Sequence, residues 1–435
     1  MKFVSTRGET NVTGFTQALF KGQAPDGGLY IPVKFPRIIE EELEIISAYS
    51  YNRLAEFMLE KCLPSDIDSG LAENIIENAY DFGPELKQID DDLYILELFH
   101  GPTLSFKDFG AQFMAKTMAA LNPVKDSLTT ILVATSGDTG SAVAHAFYNV
   151  PGFRVVLLYP SEKVSKLQEQ QLTTIGGNVH ALEIKGTFDD CQRLVKKAFS
   201  DQDLNSNLLL SSANSINVGR LIPQSFYYVW AITTLMEEPD DGIVVSVPSG
   251  NFGNLTAGLY AETMGLPVEQ FIAAVNANRV IPDYLETGSY ASRPSVKTLS
   301  TAMDVGDPSN WARIRALYED NWKTIRNHLW SSSVDDPAIR ETIKETYEDL
   351  YYLLDPHTAV GVQALQRFRQ ENKALRSAKA IVLATAHPGK FEDIVSEVIG
   401  QNTELPQALQ DAMRKPKQSL ILEPDYRKFV DFLLS

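Results

Sequence analysis

Four short stretches of this chain carry residue types whose spacing can do chemistry. The first is His100-Gly101-Pro102-Thr103-Leu104-Ser105-Phe106-Lys107-Asp108-Phe109-Gly110. Lysines normally sit on solvated faces. Lys107 instead follows a Gly-Pro turn and stands at the mouth of a helical pattern, among Ser, Thr, His and two Phe. Partial burial there lowers an amine's pKa and makes it a nucleophile. The second stretch, Thr135-Ser136-Gly137-Asp138-Thr139-Gly140-Ser141, is a hydroxyl-rich loop that opens a helix. Such loops turn backbone N–H groups and a positive dipole end toward an anion. The third is Pro248-Ser249-Gly250-Asn251-Phe252-Gly253-Asn254-Leu255. Its glycines let the backbone approach a phosphate closely. It is neither a Walker A loop nor GxGxxG, so one phosphate group fits better than a nucleoside triphosphate or dinucleotide. The fourth is Thr385-Ala386-His387-Pro388-Gly389-Lys390, where the Thr385 hydroxyl is placed to meet a ligand ring. Taken singly, each loop also reads as a turn with a capped helix behind it.

The elements that must position these loops alternate. Apolar runs at 94–99, 129–134, 154–159, 179–184, 242–247, 271–275 and 380–384 read as buried strands. Between them lie helical patterns at 109–121, 141–148, 164–175, 188–199, 220–236 and 255–264. Val-, Ile- and Leu-rich runs separated by helices predict parallel strands with right-handed crossovers, an α/β class. In such sheets ligands bind at the carboxyl ends of strands, where all four loops fall. Residues 1–90 read as an N-terminal domain and 91–435 as the catalytic region. Within the latter, about 110–235 reads as a smaller mobile α/β domain and about 300–375 as a helical insertion.

A chain of 435 residues is too long for one small core. It has 39 Lys+Arg against 56 Asp+Glu, a formal charge of −17, which argues against nucleic acid and anionic membranes as partners. Cys62 and Cys191 form no CxxC pair, and a reducing, cytoplasmic compartment is expected. The start lacks the apolar core of a signal peptide, and no apolar run approaches the roughly 18 residues of a membrane span. The six histidines show no HxxxH-type spacing, so no metal site is expected. The partner is expected to be a small molecule, and the chain a monomer or homodimer.

A candidate reactive lysine combined with a loop for a single phosphate points to pyridoxal 5'-phosphate, whose aldehyde condenses with an amine. The motifs then resemble the threonine synthase family. The four stretches match its signatures in order, as do Asp26-Gly27-Gly28-Leu29-Tyr30-Ile31-Pro32 and Thr298-Leu299-Ser300-Thr301-Ala302-Met303-Asp304-Val305. The resemblance covers nearly the whole chain and is to the branch without the S-adenosylmethionine-regulated extension. It implies a fold-type II enzyme that turns O-phospho-L-homoserine and water into L-threonine and phosphate. It implies that Lys107 is the Schiff-base lysine, that Gly250, Asn251, Phe252, Gly253 and Asn254 cradle the cofactor phosphate, and that Thr385 bonds the pyridine nitrogen. Asp138 is a cofactor neighbour where many fold-type II relatives carry Asn. The leaving phosphate needs donors and cations. Ser136, Thr139, Lys163, Asn217 and Arg220 are the candidates. The competing readings are a fold-type II lyase acting on a related amino acid and a non-catalytic homologue.

Overall fold

Buried strands and amphipathic crossovers of this kind require helices on both sheet faces. The structure, a computed structural model, describes residues 1–122, 128–162, 164–238 and 242–435. It holds two such sheets. The large one has six strands in the order Leu329–Ser333, Val268–Val275, Ile243–Pro248, Ala380–Ala384, Leu93–Glu97 and Glu85–Asp90. All neighbours are parallel except the last pair. Alternate residues face opposite sides. Val244, Ile272 and Val382 pack on Val360, Leu365 and Phe368 of the helix Pro356–Glu371. Val245, Phe271 and Ile381 share the opposite core with Phe226 and Leu255.

The small sheet is wholly parallel, in the order Leu420–Leu422, Val179–Ile184, Phe153–Pro160, Thr129–Ala134 and Leu209–Ser212. Its outer face packs Leu132, Val156 and Leu158 on Cys191 and Leu194 of the helix Phe188–Ser200, with Phe429 and Leu433 beside them. Cys62 and Cys191 are both buried and free. Among the described residues, no helix is long and apolar enough to cross a membrane.

The structure departs from the sequence reading in four places. The helix expected over 220–236 is two, Val218–Leu221 and Gln224–Leu235, because Pro223 lacks the N–H needed to continue the first. The stretch 300–375 is mostly helical, yet it also supplies the large sheet's edge strand Leu329–Ser333, which is parallel to Val268–Val275. Residues 1–90 do not have a core of their own: Leu54, Ile76 and Tyr80 lie in the same apolar cluster as Phe109 and Phe226. Two strands escaped the reading, Glu85–Asp90 and Leu420–Leu422.

Candidate active site

Three neighbouring parallel strands of the large sheet, Ile243–Pro248, Ala380–Ala384 and Leu93–Glu97, release their following loops from one edge. The Lys107 loop is fixed by main-chain bonds. Ser105 bridges Ala386, the Phe106 N–H donates to the Thr385 carbonyl at 2.9 Å, and the His387 N–H donates to the Leu104 carbonyl at 3.1 Å. Asp108 closes the turn by accepting the Thr103 N–H at 2.8 Å and the Thr103 hydroxyl at 2.6 Å. Phe109 anchors the helix Lys107–Ala120 among the rings of Tyr51, Tyr80, Phe82 and Tyr227, with centroids 5.0 to 5.7 Å away. Gly110 must be glycine for a packing reason: a Cβ there would meet the Arg220 carbonyl oxygen at 2.6 Å.

Lys107 Nζ lies 3.2 Å from Asp138 Oδ2 and 5.1 Å over the Phe106 ring. Burial lowers the Lys107 pKa; Asp138 opposes that shift, while Lys390 and Arg220 add to it. Burial alone would raise the Asp138 carboxyl, but Lys107 and Lys390 hold it well below the usual carboxylate range. Lys390 Nζ sits 2.8 Å from Asp138 Oδ1 and donates to the Thr103 carbonyl at 2.9 Å. Gln168 Nε2 donates to the same Oδ1 at 3.1 Å.

A cleft opens beside this pair, walled by Lys107, Ser136, Asp138, Thr139, Gln168, Thr301 and Ala302. The last two belong to the turn Thr301–Met303, so the stretch 298–305 has a place in the site. That turn is braced from behind. The Ala302 N–H donates to His357 Nε2 at 3.2 Å, and His357 Nδ1 lies 2.7 Å from Asp355 Oδ1. Asp304 holds the turn's base by accepting from the Thr298 N–H, the Thr298 hydroxyl and Asn276 Nδ2.

The glycine loop lies against the same turn. A Cβ on Gly250 would come 2.7 Å from the Ala302 carbonyl oxygen and 2.8 Å from Met303 Cα. Asn251 is clamped on three sides: its Oδ1 accepts the Ser309 N–H at 2.6 Å, its Nδ2 donates to Ser215 Oγ at 2.7 Å, and its carbonyl accepts Asn310 Nδ2 at 3.1 Å. Phe252 adopts a left-handed φ of 61° and packs on Trp311 at 5.6 Å. The helix Gly253–Thr263 follows with no side-chain cap. Asn254 Oδ1 accepts the hydroxyls of Tyr227 at 2.5 Å and Tyr228 at 2.8 Å, while its Nδ2 is buried without a protein partner. Buried donors in proteins are almost always satisfied. An uncapped helix start beside a glycine turn, with an orphaned amide donor, fits a phosphate group. Pyridoxal phosphate also requires an amine and a ring-nitrogen partner. Lys107 and the largely buried Thr385 sit on the two adjoining loops.

The other residues singled out in the sequence fall differently. Ser136 and Thr139 are in the cleft wall, whereas Asn217 and Arg220 are not. Asn217 is fully committed: its Nδ2 donates to the Leu19 and Ser212 carbonyls and its Oδ1 accepts the Gly219 N–H. Arg220 is buried behind Gly110, with Nη1 donating to the Ala213 carbonyl at 2.7 Å. Lys163 lies outside the described residues. Sequence reasoning missed Gln168, Thr301, Ala302 and Lys390. Lys390 stood inside the fourth stretch and had a visible signal, a lysine in a loop after a buried strand. Gln168 had none. It also missed one convergence of Glu85, Glu97 and His100, in which Lys87 already neutralises Glu85 and the Tyr352 hydroxyl bonds Glu97.

Residues 82–385 match the family model described as pyridoxal-phosphate dependent enzyme. Residues 2–80 match that of the threonine synthase N terminus, and 358–432 that of the threonine synthase C-terminal region. The threonine synthase of Haemophilus influenzae is 42% identical over 98% of this chain and 97% of its own length. That of Escherichia coli strain K12 is 40% identical over 98% and 97%. The crystal structure of the Escherichia coli threonine synthase superposes with a TM-score of 0.92 at 39% identity, covering 100% of this chain and 99% of that one. A pyridoxal-phosphate-bound threonine synthase from Brucella melitensis superposes with a TM-score of 0.92 at 36% identity, over 100% and 99%. With family models, full-length relatives and solved structures in agreement, this chain belongs to the threonine synthase family of fold-type II pyridoxal-phosphate dependent enzymes.

Proposed function

We propose that this protein converts O-phospho-L-homoserine and water into L-threonine and inorganic phosphate. The observation that carries the reading is Lys107 Nζ held 3.2 Å from Asp138 in a cleft flanked by loops of both parallel sheets. Bound pyridoxal phosphate supplies an aldehyde for Lys107 and a conjugated ring that accepts electron density from the substrate's α-carbon. Gly250, Asn251, Phe252, Gly253 and Asn254 hold its phosphate, and Thr385 meets its ring nitrogen.

Lys107 first gives up its covalent role to the substrate amine and is then free as a base. Its Nζ takes the proton from Cα, and Asp138 Oδ2 is placed to receive the resulting ammonium. A depressed amine pKa keeps the basic form available near neutral pH. Ser136 and Thr139 bind the substrate's anionic groups with their hydroxyls at the start of the helix Asp138–Phe147. Phosphate leaves from Cγ, water adds at Cβ, and Lys107 returns its proton to the product. The region of about 110–235 moves as a unit over the substrate, and its closure shields the reacting atoms from water. The net charge of −17 and the two buried free thiols support a cytoplasmic monomer or homodimer.

Purified protein should show a visible, borohydride-sensitive band and release one phosphate per threonine formed. Lys107→Ala should lose the band and nearly all threonine formation. Phosphate release accompanied by a keto acid and no threonine would refute the reading in favour of a phospholyase.

A further inference from the structure

Asp138 touches two lysines, and only one of them has a place in the reaction described above. The side chain of Lys390 is 0% exposed. Its Nζ lies closer to the carboxylate than that of Lys107, at 2.8 Å against 3.2 Å, and on the other oxygen. Gln168 occupies that same Oδ1. The second bond of Lys390, to the Thr103 carbonyl, anchors it to the Lys107 loop. Lys390 therefore ties together the loops that carry Thr385, Lys107 and Asp138.

A buried ion pair is a weak device for stability, because desolvation offsets most of its Coulomb energy. The pair does matter to a third group that must change charge. A lone buried carboxylate 3.2 Å from Lys107 would lock its amine as an ammonium. With Lys390 present the carboxylate is already neutralised, so protonating Lys107 adds a net charge to a dry site. We infer that Lys390 is the resident counter-cation of Asp138 and a positioning residue for Lys107, leaving that amine able to gain and lose its proton during turnover. The other charged neighbours do not replace it. Asp108 is engaged by Thr103, Arg220 sits behind Gly110, and His387 and His145 meet the field of Lys390 without a hydrogen bond to Asp138.

The inference rests on Lys107 being the amine that reacts. Its test uses the holoenzyme and two readouts, the pH midpoint of the visible band without substrate and the acid limb of kcat. Lys390→Met should raise the band's midpoint and move the acid limb upward by about one pH unit or more, so that the kcat lost at pH 7 is recovered at higher pH. Lys390→Arg, which keeps the charge, should leave both near wild type. Asp138→Asn/Lys390→Met buries no unpaired charge, so it serves if the single variant does not fold. Its midpoint should stay within about half a pH unit of wild type. A Lys390→Met midpoint that is unmoved or absent, a kcat loss equal at every pH, or a double variant shifted by more than that overturns the inference. Wild-type protein with no visible band would instead overturn the assignment of Lys107.

Discussion

The two tyrosines behind the glycine loop offer a test of how that loop is held. The hydroxyls of Tyr227 and Tyr228 reach Asn254 Oδ1 at 2.5 and 2.8 Å, and all three residues are buried. Removing one hydroxyl leaves the oxygen with the other donor, a loss of about 0.5–1.5 kcal/mol. Removing both strands a buried carbonyl oxygen, which adds roughly 1–3 kcal/mol. The rings themselves remain packed, Tyr227 on Phe109 at 5.5 Å and on Tyr228 at 5.1 Å. Tyr227→Phe or Tyr228→Phe should therefore weaken cofactor binding about three- to tenfold, since about 1.4 kcal/mol is a factor of ten. The double variant should lose about a hundredfold, more than the product of the singles. Titrating cofactor into stripped protein, followed by absorbance, gives the three affinities; thermal melts report stability separately. Strictly multiplicative effects, or a double variant that melts earlier yet binds cofactor normally, would refute the claim that Asn254 is oriented for the phosphate by these hydroxyls.

Other consequences can be measured as readily. Phe109→Ala should cost about 3–5 kcal/mol in urea unfolding, because four aromatic neighbours lose their common partner; a loss under about 1 kcal/mol would mean that the cage does not hold the Lys107 helix. His357→Leu deprives the Ala302 N–H of its acceptor and should raise KM about three- to tenfold with a smaller change in kcat. An unchanged KM would remove the Thr301–Met303 turn from substrate binding. Burial raises the Asp108 carboxyl to about 6. Its folded pKa is above the unfolded one, so its contribution is fully present below about pH 4 and is lost as pH rises through about 6. The stability difference between wild type and Asp108→Asn should fall by about 3 kcal/mol from pH 4 to 7. A difference that stays flat over that range would contradict it.

The parallel strands were legible because burial on both faces leaves an unbroken apolar run, as in Ile131-Leu132-Val133 or Val244-Val245. Glu85–Asp90 was not, because an exposed edge strand is kept polar and charged, here Glu-Leu-Lys-Gln-Ile-Asp. Leu420–Leu422 is short and mostly exposed, too brief to show a period. Within the site, Lys107 and the 250–254 loop announce themselves locally through a Gly-Pro turn and a pair of glycines. Lys390 does not, since its meaning lies in a carboxylate contributed by the other sheet. Asn217 and Arg220 misled for a related reason. A polar residue next to a glycine resembles a ligand contact, and only the tertiary structure shows that carbonyls from Leu19, Ser212 and Ala213 already use them.

Arg313 is buried with no carboxylate in contact, donating to the Tyr30 carbonyl at 2.9 Å, to Asn310 Oδ1 at 2.5 Å and to the Ile216 carbonyl at 2.5 Å. Two of these acceptors belong to the main chain, which every residue type offers. The side chains at 30 and 216 can therefore drift over evolution without Arg313 sensing it. Arg313 itself cannot be exchanged for lysine, whose single ammonium lacks a planar fork able to reach three directions. Paired substitutions across a set of homologues would leave this junction nearly silent. The chain's N-terminal ribbon, the link out of the small sheet and the phosphate loop are joined at a point that correlated-mutation maps should not reveal.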